Sequence, residues 1–206
     1  ALRHLGALLL TQKRLDEAEP MLKRSYEIAM KELGENHPQT AASLSVWATL
    51  HLLRGHPEEA EPLFGHVIHM VERSSGTAHP EVAGVLGNHA NALIATERYV
   101  QAEQQLHRAL EIYEKQTGPS STKLADTLVS LAMVIGKQGR ADAEAIFTRG
   151  LTLTETTYGS EHLRFARALS LYAEFLRHQN RNAEADVVME KAESIRTKSA
   201  PGRPTS

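Results

Sequence analysis

The sequence predicts an all-α solenoid of five helical hairpins. Three observations carry this. The tripeptide Ala-Glu-Pro stands at Ala18 and again at Ala60, 42 residues on, and an alanine in the same setting recurs at Ala102, Ala143 and Ala185. A glycine ladder (Gly34, Gly76, Gly118, Gly159) and a leucine ladder (Leu2, Leu44, Leu86, Leu128, Leu169) keep the same period. Each period also holds two stretches in which apolar or small residues recur at i, i+3, i+4 and i+7, which is one face of an α-helix. A hairpin of two such helices cannot bury both faces alone, so phase-locked copies must stack.

The first copy spans about residues 1–36. Its first helix reads Leu2-x-x-Leu5-Gly6-x-x-Leu9, and its second runs through Ala18 and Leu22 to Gly34. The chain opens at Ala1 inside a helical pattern, so a trimmed or processed fragment is expected. The second copy, 37–78, starts with Pro38 at the first helical position, where a missing N–H costs nothing. Leu44, Trp47, Ala48 and His51 mark one face of its first helix; Ala60, Phe64, Val67, Ile68 and Val71 mark the second. The turn between them, LLRGHP, puts glycine where a helix C-terminus takes a left-handed residue. Pro20 and Pro62 lie just inside second helices and are expected to bend or loosen the first turn.

The third copy, 79–120, repeats the pattern from Pro80. The fourth, 121–161, carries Leu128, Leu131, Ala132 and Ile135 on its first helix and has lost one residue in GRADAEA relative to GHPEEAE. The fifth, 162–198, changes character. Where earlier second helices place Tyr26, Ile68, Leu110 and Leu151, it places Glu193; where they place Ala29, Val71, Tyr113 and Thr154, it places Arg196. A polar outer face is what a terminal cap requires. Residues 199–206 are expected to form a flexible tail after a single domain covering 1–198.

The small residues set the packing phase. Gly6, Ala48, Ala90, Ala132 and Ala173 fall in first helices; Ala18, Ala60, Ala102, Ala143 and Ala185 fall in second helices. A side chain no larger than methyl lets two helices cross closely. The large residue four positions on (Leu22, Phe64, Leu106, Phe147, Met189) then fills the space beside the crossing.

Leu44-x-x-Trp47-Ala48-x-x-His51 followed by Ala60-x-x-x-Phe64 resembles the tetratricopeptide signature, whose usual period is 34. The longer period here, with EEAEPLF and HPEVA, resembles the repeats of kinesin light chain. Armadillo-type repeats have a similar period but three helices per unit, against two here. The resemblance implies a right-handed superhelix of five tetratricopeptide-type hairpins whose first helices line a concave groove that holds extended peptides. In the packing phase above, the groove-facing positions include Arg3, Leu10, Ser45, Thr49, Asn88 and Asn91 toward the N-terminus. Toward the C-terminus they include Asp126, Val129, Lys137, Arg167, Glu174 and Arg177. Asn, Ser and Thr can bond a peptide backbone without reading its sequence, and Arg can fork onto a carboxylate. Kinesin light chain repeats carry an Asn pair before the Leu-Ala of the first helix. The matching pairs here are Arg3-His4, Ser45-Val46, Gly87-Asn88, Val129-Ser130 and Ser170-Leu171, so Asn88 alone matches.

Composition narrows the function. Net charge is −2, with no global pull toward nucleic acid or anionic lipid, and basic residues are scattered without aromatic interleaving. There is no cysteine, which rules out disulfides and thiol chemistry and fits a reducing, cytoplasmic compartment. No apolar run reaches the ~20 residues that span a bilayer. His66 and His69, spaced i, i+3, could share a metal, but two ligands leave a site incomplete, so no metal is expected. His37 and His79 belong to the repeat punctuation, and His89 and Trp47 take an apolar core slot. No phosphate loop, G-x-S-x-G or H-E-x-x-H is present, so neither enzyme nor cofactor is expected. The expected role is a scaffold that holds a protein or peptide partner. The runner-up is a structural or assembly subunit of a larger complex, or a fragment of a longer multidomain chain, docking by its uncapped N-terminal edge or its convex face.

Overall fold

The computed structural model describes residues 1–116 and 122–199; the Gly118 step of the glycine ladder, the boundary between the third and fourth copies, and residues 200–206 of the expected tail lie outside the described residues. All regular structure among the described residues is helical. In chain order the helices are α1 (Leu2–Thr11), α2 (Leu15–Leu33), α3 (Pro38–Leu53), α4 (Pro57–Ser75), α5 (Pro80–Ala95), α6 (Tyr99–Gln116), α7 (Thr122–Lys137), α8 (Ala143–Tyr158), α9 (Leu163–His178) and α10 (Asn182–Ser199). They form two compact units, Ala1–Ile112 and Tyr113–Ser206.

In the first unit α1 to α5 pack in chain order, and the first helices also touch one another, α1 with α3 and α3 with α5. In the second unit α7 packs on α8, α8 on α9, α9 on α10, and α7 also meets α9. Neighbour-only packing of this kind is what a stack of repeats produces.

The small-residue phase is the packing phase. Ala18, Ala48, Ala60, Ala90, Ala102, Ala132, Ala143, Ala173 and Ala185 are fully buried. At Gly6 even a methyl does not fit: a Cβ there would lie 2.4 Å from Leu22 Cδ2. Leu22, Phe64 and Phe147, each four residues after the alanine of a second helix, are fully buried as well.

The helix ends follow from local chemistry. His37, His79 and His162 are N-caps, each accepting through Nδ1 the amide two residues on: Gln39 at 3.1 Å, Glu81 at 3.2 Å and Arg164 at 3.1 Å. Each satisfies one of the orphan N–H groups of a helix start. Between copies the backbone needs a conformation open only to glycine, φ near +90° with extended ψ, as at Gly76 (φ 91°, ψ 157°). The turn inside each hairpin is less demanding. Gly55 and Gly139 are left-handed there, but so are Lys13, Glu97 and Asn180 at the equivalent position. Pro20 and Pro62 interrupt neither α2 nor α4; both rings are exposed.

Ion pairs bind successive hairpins on the side of these inner turns. Arg54 reaches back to Glu19 at 2.6 Å and to Asp16 at 2.7 Å, and Arg98 reaches back to Glu61. In the second unit Arg181 reaches Glu144 at 2.8 Å, and the Tyr172 hydroxyl donates to the same carboxylate at 3.0 Å. Arg181 first, then Tyr172, holds the Glu144 carboxyl below the usual carboxylate range. Such exposed pairs are each worth about 0–1 kcal/mol, so they set register more than stability.

Candidate ligand-binding faces on the first helices

In the first unit α1, α3 and α5 present the face. Arg3 is half-buried, lies 3.3 Å from His4 Nε2, and borders a cavity of about 510 Å³ with Ile28, Leu33 and Ser43. The Thr49 hydroxyl donates to the Ser45 carbonyl at 2.9 Å, which leaves its oxygen free to accept. Asn88 is half-buried and Asn91 exposed, one helical turn apart on α5, and neither amide bonds another described residue. Gly87, beside Asn88, has open space where a Cβ would stand, so a ligand could approach the α5 backbone there. Leu10 does not face out; it is buried in a cluster with Leu9, Ala18, Leu22 and Leu50.

The second unit presents α7 and α9, and most of its charged residues are already engaged. Asp126 accepts from Arg164. Lys137 Nζ donates to Glu174 at 2.6 Å and lies 3.0 Å from His178 Nε2. The Lys137 ammonium holds the Glu174 carboxyl below the usual range. Arg177 donates to Asp186 of α10 at 3.1 Å. Arg167 is exposed and has no ion pair among the described residues. Val129 is buried, because Gly150 lets α8 lie close against α7; a Cβ on Gly150 would be 3.0 Å from Val129 Cγ2 and 3.2 Å from its amide nitrogen. The two faces therefore differ: unengaged amides on the first, self-neutralised charge on the second. A ligand meeting Asp126, Lys137, Glu174 or Arg177 on the second must displace existing ion pairs, while one on the first meets amides that lose only water.

Two histidine expectations can be placed. His66 does gain an acid, Glu35 at 2.7 Å, contributed from 31 residues upstream. Sequence spacing could not show this, since the pairing arises from stacking. A potential ligand trio elsewhere, His56, Glu58 and Glu59, has its ligand atoms within 4.8 Å of one another. It sits exposed at the start of α4, where the helix dipole disfavours a cation.

His89 occupies the core slot expected of it, with Nδ1 buried and unbonded. Burial pushes its imidazole below the ordinary histidine range; Glu61 and Gln105 pull the other way and Arg98 adds to the burial effect. The unfolded chain then binds a proton that the folded chain refuses, so this residue costs stability as pH falls through the ordinary histidine range of about 6.5. His89→Leu, which copies the equivalent Leu131, should leave a smaller gap between melting temperatures at pH 7.5 and pH 5.5 than the parent chain shows. Circular dichroism melts at the two pH values test this, and an unchanged gap would count against the buried neutral imidazole.

Comparison with known proteins agrees with this geometry. The tetratricopeptide repeat family model matches residues 1–73 and 81–142. Among solved structures, a putative kinesin light chain from Podospora anserina with nearly identical repeats is 20% identical, with a TM-score of 0.75 over 98% of this chain and 96% of that one. BtubC from P. vanneervenii is 16% identical, with a TM-score of 0.78 over 100% of this chain and 82% of that one. YrrB, described as a tetratricopeptide repeat protein with an unusual peptide-binding site, is 14% identical, with a TM-score of 0.55 over 96% of this chain and 86% of that one. Among curated proteins none matches.

Proposed function

The chain belongs to the tetratricopeptide repeat family, and from that premise we propose that it is an interaction scaffold whose first-helix face in the first unit holds an extended segment of a protein partner. The family mediates protein–protein contact, and no described helix is long and apolar enough to cross a membrane. The observation that carries the reading is the pair Asn88 and Asn91, with Gly87 open beside them. Two unengaged amides a turn apart offer donors and acceptors to a peptide backbone, and binding there breaks no existing bond. Ser45 and Thr49 continue the polar track on α3, and Arg3 supplies a cation at its end for an acidic side chain or terminus.

The test begins with random peptides displayed on phage and selected on the immobilised chain. The best peptide is then titrated calorimetrically against the parent and Asn88→Ala/Asn91→Ala. Two lost neutral hydrogen bonds at about 0.5–1.5 kcal/mol each should weaken binding about tenfold or more. Peptides that bind the double variant as tightly as the parent would place the site elsewhere.

A further inference from the structure

We propose that Glu35, His66 and His69 form a zinc site that joins the loop between α2 and α3 to the middle of α4. His66 and His69 are spaced i, i+3, which sets their Cβ atoms about 5–6 Å apart and lets both imidazoles reach one ion. Two ligands leave a zinc site incomplete, and stacking brings the third: Glu35 Oε1 lies 2.7 Å from His66 Nε2. The hydrogen bond from His66 first, against the opposing effect of burial, and then the charges of His66, Arg73 and His69 hold the Glu35 carboxyl below the usual range. His69 therefore stands within electrostatic reach of that carboxylate. It is exposed and makes no hydrogen bond to another described residue, so its ring is free to swing to an ion. Two imidazoles, a carboxylate and one position left to water is a donor set that tetrahedral zinc accepts. Zinc bonds of about 2.0–2.2 Å at a tetrahedral angle set nitrogen and oxygen about 3.4 Å apart. An ion replacing the proton between His66 and Glu35 thus asks for a small separation of groups that already meet.

Stacking alone does not ask for imidazole here. Arg24, Arg108, Arg149 and Lys191 hold the position of His66 in the other copies. Arg108 reaches Glu72 and the carbonyl of Thr77, the counterpart of Glu35, and Arg149 reaches Glu114 at 2.7 Å. A guanidinium serves that contact and has no lone pair to offer a metal. The second copy alone puts imidazole there, and the same copy puts His69 where the others have Glu27, Glu111, Thr152 and Ser194.

The loop holds its carboxylate in place. Gly34 ends α2 at φ 83° and ψ 172°, and the fully buried Thr40 donates to the Gly34 carbonyl at 2.8 Å. Glu35 is the next residue, so its reach toward α4 is fixed before any ion arrives. His66 and His69 lie in the middle of α4, clear of the first turn, whose dipole opposes a cation at the His56 trio. Arg73, one turn past His69, is the competing cation at Glu35.

The probe is zinc chloride, titrated calorimetrically into the untagged 206-residue chain at about pH 7.5, where the imidazoles are neutral. One ion per chain should bind, and zinc should raise the melting temperature, because it binds the folded arrangement and ties two hairpins together. His66→Arg copies Arg108 and keeps a cation for Glu35. Its melting temperature without zinc should therefore match the parent, while its zinc affinity falls about tenfold or more. His69→Ala and Glu35→Gln should lose as much, and Arg73→Gln should bind more tightly. Long-range proton–nitrogen NMR spectra should show the ring nitrogens of His66 and His69 moving as zinc is added. Lowering the pH through about 6.5 should release the ion as the imidazoles take up protons. No saturable heat, or an isotherm that His66→Arg reproduces, would mean an adventitious ion only and overturn the site. So would binding lost in His56→Ala/Glu59→Ala but kept in His66→Arg, which would move the ion to the start of α4. Asn88→Ala/Asn91→Ala should bind zinc as the parent does, so failure of the inner-face reading leaves this experiment untouched.

Discussion

Phe147→Ala should cost about 3–5 kcal/mol of unfolding free energy. Phe147 is fully buried and its ring meets both Tyr172 and Phe175 of the next hairpin. Truncation removes the transfer free energy of the ring and leaves a cavity that its neighbours are poorly placed to fill. Tyr172 is tied to Glu144 by its hydroxyl, and Phe175 is braced against Gly136, where a Cβ would already lie 2.6 Å from Cδ2. Each aromatic pair that disappears takes with it about 0.5–1.5 kcal/mol beyond the area term. Guanidinium unfolding followed by circular dichroism measures the loss. Phe147→Leu is the control, because it keeps most of the volume and should cost far less. Since a stacked array can open locally, hydrogen exchange should locate the loosened amides in α8 and α9. A loss below about 1 kcal/mol for Phe147→Ala would mean that the site repacks freely and that the ring is no keystone of the second unit.

The fold was legible because the chain states its rule several times. One copy would leave Ala60 an alanine among many; five copies mark a position where nothing larger stands, and those alanines prove fully buried. Leu10 and Val129 show where this logic fails. Their phase on the first helix points toward the inner face, yet burial depends also on how near the second helix lies, and Gly150 brings α8 up against Val129. Helical phase fixes direction, not the distance to the neighbour. His162 is a related case. It caps α9 as His37 caps α3, but no proline follows it, so the punctuation that marked the other histidines is missing.

Of the proposed inner face, residue type was legible and engagement was not. Lys137, Glu174, Asp126 and Arg177 read as available charges in the sequence. In the fold their partners come from 37 or 38 residues away for the first three, and from the start of α10 for Arg177. Stacking creates the Lys137–Glu174 and Asp126–Arg164 pairs, packing within the fifth hairpin creates Arg177–Asp186, and a linear scan for i, i+3 or i+4 neighbours cannot find them. The same holds for Glu61 with Arg98 and Glu144 with Arg181, which fix how one hairpin meets the next.

Ala60→Leu tests the crossing itself and should cost about 1–3 kcal/mol. Ala60 is fully buried on α4, and the first helix of its hairpin brings Ala48, also fully buried, into the same layer. Three extra carbons there have two outlets: an off-rotamer side chain, or separation of α3 from α4. Separation would draw Phe64 and Val67 partly away from their neighbours, so the cost has both strain and reduced burial in it. Helix propensity does not confuse the sign, because leucine is nearly as good a helix former as alanine. Ala183→Leu on the exposed side of α10 makes the same chemical change where nothing opposes it and should stay within about 0.5 kcal/mol of the parent. The informative quantity is the difference between the two variants in denaturation midpoint at constant slope, since the parent's denatured state is common to both. Equal midpoints would show that the interior around Ala60 yields as readily as the surface, and methyl-sized residues would then no longer explain why these hairpins stack at one spacing.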